Sequence, residues 1–104
     1  MFKKIVFSVS TFILSFSAQA AEFDYDIKVH RIGVDNDDKA YIRPVGQFTH
    51  QCAHNVIFFS LSSPSGKSFL TLITSAKLAD KKLAIVSYEV NSSNQCWLIS
   101  VEVE

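Results

Sequence analysis

Two histidines and a cysteine fall at alternate positions in His50-Gln51-Cys52-Ala53-His54. On an extended segment alternate side chains share one side, so two imidazoles and a thiol would face the same way. A closed zinc site needs four ligands, and this spacing is not one of the familiar zinc signatures. Thiol catalysis at Cys52 would need a neighbouring base, a third group to orient that base, and a reduced sulfur. His50 and His54 are therefore weak metal candidates, with His30 the remaining histidine. The plainer reading is a loop carrying surface histidines beside a disulfide, with no catalytic residue, metal or cofactor.

Three further motifs could carry chemistry. Asp35, Asp37 and Asp38 offer oxygen ligands, but the glycine and distal glutamate of the helix-loop-helix calcium motif are missing, so a solvated hairpin tip is expected. Ser65-Gly66-Lys67-Ser68 resembles the end of a phosphate-binding loop without its upstream glycine, and reads instead as a helix start. Asn91-Ser92-Ser93 meets the glycosylation sequon formally and reads as a turn.

The compartment is the firmer result. Lys3 and Lys4 precede an apolar run over residues 5–16, and Ser17-Ala18-Gln19-Ala20 follows with small side chains at Ala18 and Ala20. A charged start, an apolar centre and a small-x-small ending make a cleavable signal of bacterial type, with cleavage expected after Ala20. The apolar run is shorter than the ~20 residues a membrane-spanning helix needs. Secretion or residence in the periplasm follows, with one domain over residues 21–104 and no membrane span after cleavage.

Without Lys3 and Lys4 the chain has 8 basic and 10 acidic residues, a net charge of −2. Lysine and arginine are scattered singly apart from Lys81-Lys82, so no nucleic-acid partner is expected. Cys52 and Cys96 are the only cysteines, and an oxidising compartment lets them close one bridge. On the loop-closure model such a bridge is worth about 4 kcal/mol, a large share of a small domain's stability.

The elements that must position these residues are mostly strands. Tyr25, Ile27 and Val29 alternate with polar neighbours, and Ile32 and Val34 resume in the other phase, which predicts one strand with a bulge near His30-Arg31. The polar stretch 35–39 predicts a hairpin into a strand over 40–45, where Pro44 marks an edge or an end. Residues 56–61 form a third strand. Phe69, Leu72, Ile73, Ala76 and Ala79 then recur at helical spacing, with Ser65 as the expected N-cap. Strands over 83–90 and 96–103 flank a polar turn at 91–94.

The fold class is mainly β with one helix. The order β-β-β-α-β-β fits an OB-fold-like five-stranded Greek-key barrel, with a small open α+β sandwich as the alternative. Apolar residues on both faces of the strands over 56–61 and 83–90 predict that a second subunit covers part of the outer face, making a homo-oligomer. Phe58 and Phe59 must point to opposite faces, so one of them needs a cover.

Lys39-Ala40-Tyr41-Ile42, Cys52, Ser68-Phe69-Leu70-Thr71-Leu72-Ile73 and Lys82-Leu83-Ala84-Ile85-Val86 together resemble the small secreted OB-fold binding subunits of AB-type bacterial toxins, in the subtilase-cytotoxin and pertussis-like branch. That resemblance spans nearly all of residues 21–104 and implies a five-membered ring that binds host glycans. The chain departs from it in being shorter, in having two cysteines, and in lacking a recognisable sugar-binding motif. The reading is a non-catalytic binding module, self-assembling, with a glycan or protein partner. A metal- or thiol-dependent enzyme centred on His50, Cys52 and His54, and a structural or inhibitory envelope protein, stay open as alternatives.

Overall fold

The computed structural model describes residues 21–104; the export signal expected over 1–20 lies outside them. The elements are β1 (Glu22–Ile27), β2 (Val29–Val34), β3 (Lys39–Pro44), β4 (Ile57–Ser60), α1 (Pro64–Leu78), β5 (Leu83–Val90) and β6 (Cys96–Val103), with a 3-10 turn at Ala53–Asn55 between β3 and β4. All six strands form one sheet in the order β1-β5-β6-β4-β3-β2. Neighbours are antiparallel except β4 and β6, which run parallel.

The protein is mainly β with one helix, but the strand count is six rather than five. The element order is β-β-β-β-α-β-β in place of the expected β-β-β-α-β-β. The strand expected to run through 25–34 breaks at Lys28, after Asp26 turns to φ 54°. Its halves take different partners, β1 pairing with β5 and β2 with β3. They are the two edges of an open strand order, and among the described residues no ladder joins them. Only Lys28 separates them along the chain, so the two edges meet at a corner. The Lys28 carbonyl accepts from the Val45 N–H at 2.9 Å, and its ammonium pairs with Asp80 just past the helix. The hydrogen bond and charge of Lys28 hold the Asp80 carboxyl below its ordinary value. The expected bulge is present, as a register shift between Val29 and Arg31.

Alternation decides what is buried. On β3, Ala40, Ile42 and Pro44 point inward while Lys39, Tyr41 and Arg43 point outward. The core gathers Ile27, Val29, Ala40, Ile42, Ile57, Phe59, Leu83, Val86, Tyr88, Cys96 and Leu98 from the sheet, and Ile73 and Ala76 from α1. Phe69 of the helix meets Phe59 edge-on at 6.0 Å. Leu72, expected on the buried stripe of the helix, is exposed.

The helix starts one turn-residue pair earlier than its sequence pattern suggests. Ser63, not Ser65, is the N-cap: its hydroxyl accepts from the Gly66 N–H at 3.0 Å, and Pro64 occupies the first helical position, where its missing N–H costs nothing. Gly66 belongs there for packing. A Cβ at that residue would lie 1.6 Å from the Ser60 carbonyl oxygen, which is backbone and cannot swing aside. The Ser65-Gly66-Lys67-Ser68 motif is thus the seat of the helix against the end of β4.

Cys52 and Cys96 are bonded, with Cα atoms 5.6 Å apart. Cys96 stands opposite Ile57 in the parallel pair, and Cys52 lies in the loop that leads into β4.

Two stability measurements follow. Gly66→Ala, which in a free helix would gain about 1 kcal/mol, should instead destabilise the fold by about 1–3 kcal/mol in urea unfolding through overpacking. Cys52→Ala with Cys96→Ala should cost about 4 kcal/mol; a loss under 1 kcal/mol would show that the bridge constrains little.

Candidate functional site

The segment 46–56, between β3 and β4, has little regular structure and is held by polar contacts. At its start, the buried Asp24 carboxylate of β1 accepts from the Thr49 N–H at 3.0 Å, from the Thr49 hydroxyl at 2.5 Å and from the Tyr88 hydroxyl at 2.6 Å. A buried carboxylate is tolerable only when donors surround it. Burial, followed by the hydrogen bond to Asp24, pushes the Tyr88 phenol well above its ordinary range. Phe48 packs on the Tyr88 ring at 5.8 Å.

Midway, the β5–β6 turn clamps the same segment. Asn94 donates from Nδ2 to the Gln51 carbonyl at 2.8 Å, and its own carbonyl accepts from the Ala53 N–H at 2.8 Å. With its amide set that way, Asn94 Oδ1 faces His50 Nε2 at 2.7 Å, so Nε2 carries the proton. At the far end His54 and Asn55 sit at φ 60° and 55°. Two successive non-glycine residues in the left-handed region cost of order 1–3 kcal/mol each and persist only where surroundings impose them. Here Arg43 Nη1 donates to the His54 carbonyl at 2.9 Å, and Asn55 Nδ2 donates to the Gly46 carbonyl at 2.9 Å.

Beside this segment the outer face of the sheet carries a lateral aromatic row. Register places Gly33, Tyr41 and Phe58 side by side on β2, β3 and β4, with Trp97 next on β6. Phe58 and Trp97 rings are 5.4 Å apart, Tyr41 and Phe58 6.2 Å. The Tyr41 ring leans over Gly33, where an added Cβ would lie 2.3 Å from Cζ. Lys39 reaches over Phe58 at 4.8 Å, and Arg43 lies 5.9 Å from Tyr41. Phe58 is only 7% exposed, so the cover it needs comes from within the chain, while Tyr41 and Trp97 stay half-buried. An open cleft of about 210 Å³ borders the row, lined by Asp35, Tyr41, Arg43, His54, Val56 and Phe58.

The residues singled out at 50–54 do not converge. The 3-10 turn at Ala53–Asn55 breaks the extended geometry on which their alignment depended. His50 is engaged with Asn94, Cys52 with Cys96, and His54 lines the cleft. Among the described residues no three His, Cys, Asp or Glu side chains converge as a metal site. Asp35 to Asp38 form the β2–β3 turn, with the Asp35 N–H donating to the Lys39 carbonyl at 2.7 Å. Asn91 closes the β5–β6 turn, its Oδ1 accepting from the Ser93 and Gln95 N–H groups. Sequence reasoning passed over Lys39, Tyr41 and Arg43 as a set, although their alternation with Ala40, Ile42 and Pro44 already put them on one outer face. No known family, curated protein or solved structure matches the chain.

The Asp24–Tyr88 contact makes stability pH-dependent in the alkaline range. A phenol held protonated above its unfolded value near 10 contributes stability that is complete below that pH and lost as pH rises through the folded-state value. Tyr88→Phe should cost about 1–3 kcal/mol at pH 7, because Asp24 loses a buried donor. In thermal melts from pH 8 to 12, the gap between wild type and variant should narrow above about pH 10; a constant gap would refute the linkage.

Proposed function

We propose that the chain is an exported, non-catalytic binding module on an OB-type barrel, which takes a glycan or protein on the outer face of β3, β4 and β6 and associates with copies of itself. The observation that carries the reading is the aromatic row in which Tyr41 and Trp97 stay half-exposed on either side of the buried Phe58, beside its cleft. Rigid aromatic side chains supply large contact area at low entropic cost, which suits recognition more than catalysis.

The barrel reading is supported by connectivity. Counting β1 and β2 as one strand bent at Lys28 leaves five strands, with the helix between the third and fourth and a parallel pairing of the third with the fifth. The bent first strand then pairs with the second through one half and the fourth through the other, which is how a Greek-key barrel of this type comes round on itself. In such barrels the face of the second and third strands, with adjoining loops, takes oligomeric ligands. Tyr41 and Phe58 belong to those two strands.

Self-association is supported by another part of the surface. Phe23 and Tyr25 on β1 are 52% and 63% exposed, and Tyr25 lies opposite the partly exposed Ile85 of β5. Soluble monomers seldom leave contiguous apolar patches of this kind uncovered. Metal or thiol chemistry at His50, Cys52 and His54 has less support, since the sulfur is bridged, His50 is engaged with Asn94, and the turn takes His54 out of the extended geometry.

The test is a glycan panel and envelope-protein capture with the chain beginning at Ala21. Trp97, the sole tryptophan, is the fluorescence reporter. Trp97→Ala and Tyr41→Ala should weaken the ligand found by about 10- to 100-fold with circular dichroism unchanged. Light scattering should give a mass above the monomer that Phe23→Ser with Tyr25→Ser lowers. A monomer whose Trp97 emission no panel member perturbs would end this reading in favour of a structural role.

A further inference from the structure

Arg31 and Arg43 stand directly opposite each other on β2 and β3. Their chain neighbours Ile32 and Ile42 pack on the core, so both guanidiniums lie on the outer face. Like charges placed directly across an antiparallel pair destabilise it. Neither is in ion-pair contact with a carboxylate: the one ion pair among the described residues joins Lys28 and Asp80. Two arginines in register on one outer face, neither paired with a carboxylate, are an arrangement that a ligand's oxyanion would complete, because each guanidinium offers planar, forked donors matched to carboxylate, sulfate or phosphate.

Arg43 is also set in place beforehand. One Nη is spent on the His54 carbonyl, which the left-handed pair His54 and Asn55 aims at it, and the guanidinium rests near the Tyr41 ring. Arg43 lines the cleft, and Arg31, exposed beside it on β2, is in no ion pair among the described residues. The acidic side of the cleft limits what fits. Asp35 lines it, and Asp37 and Asp38 share its turn, so an extended polyanion leaving the arginine pair toward the β2–β3 turn would run onto carboxylates.

The geometry points to Arg31 and Arg43 as a clamp for a single oxyanion on a compact ligand, whose adjoining ring face lies on Tyr41 and whose hydroxyl or cationic group reaches Asp35. This rests on the outer face being the binding face, and it names the chemistry that face selects. The charge on the ligand is local, one group beside a largely neutral body.

The experiment is a titration of the ¹⁵N-labelled chain from Ala21 with sulfate, inorganic phosphate and acetate, then with D-glucuronate against D-glucose, all at constant ionic strength held by chloride. Saturable shifts of the Arg31 and Arg43 side-chain N–H signals are expected with the oxyanions and glucuronate, and none with glucose; the strongest of the three simple anions identifies the source group. Arg31→Gln removes no hydrogen bond or ion pair among the described residues and relieves the cross-strand repulsion, so its melting temperature should hold or rise slightly while affinity falls about 10-fold. Shifts that chloride reproduces, an unchanged affinity in Arg31→Gln, or tighter saturation by an oligonucleotide or heparin-type chain than by any single group would each overturn the clamp. Loss of panel binding in Trp97→Ala but not in Arg31→Gln would sink the clamp and leave the binding face standing.

Discussion

The fold turns on a short seam. β4 and β6 run parallel and share only two registered pairs, Ile57 with Cys96 and Phe58 with Trp97, yet this is the junction that joins the β1-β5-β6 half of the sheet to the β4-β3-β2 half. Parallel pairing is slightly weaker per residue than antiparallel and needs a long crossover, here α1 and β5. Such a seam would open first if backbone hydrogen bonds alone held it. Both of its faces are reinforced instead. On the inner side Cys96 is fully buried and bonded to Cys52; on the outer side Phe58 and Trp97 stack, a contact worth about 0.5–1.5 kcal/mol beyond the area it buries.

The disulfide also fixes what lies around it. Residue 52 sits within a segment that has few backbone partners of its own, so bonding it to the start of β6 limits where 46–56 can lie. Asp24 and Asn94 complete that restriction from two other elements. A hydrophobic residue in place of Asp24 could fill the same space, but it would give the Thr49 N–H no acceptor and leave the entry of the segment without a defined register. The carboxylate, costly to bury, earns its position through directionality. In consequence the Arg43–His54 contact and the left-handed turn behind it are set by the frame rather than by local preference.

Much of this was legible in the residues. The strands over 83–90 and 96–103 have the bounds the residues predict, because each is a long run rich in apolar and β-branched side chains between polar turns, alternating cleanly in 96–103 and apolar on both faces in 83–90. The hairpin at 35–38, the end of β3 at Pro44 and the bulge near His30 follow from residue types with a fixed conformational meaning. The corner at Lys28 has no such mark: Tyr25, Ile27 and Val29 alternate straight through it, and Asp26 adopts a conformation that no glycine announces. Ser63 and Ser65 flank Pro64 alike, and only the hydroxyl contact to Gly66 separates cap from first turn. The opposition of Arg31 and Arg43 depends on register across a bulge, where a slip of one residue would turn one of them to the other face.

The outer aromatic row belongs at once to the seam and to the surface. Phe58, nearly buried, does the structural part by filling the space between its neighbours, whereas Tyr41 and Trp97 keep part of their rings in solvent. Gly33 leaves room for Tyr41 to lie down on β2, and a side chain there would lift the ring away from the row. Rigidity of the row therefore comes from the same contacts that close the seam, and a ligand of the proposed kind on Trp97 and Tyr41 would meet rings already fixed by Phe58 between them. Preorganisation of this kind lowers the entropic cost of binding. The Cys52–Cys96 bond enters here as well: with the bridge open, Trp97 would keep its ring but lose the fixed distance from Phe58 on which the proposed binding face depends.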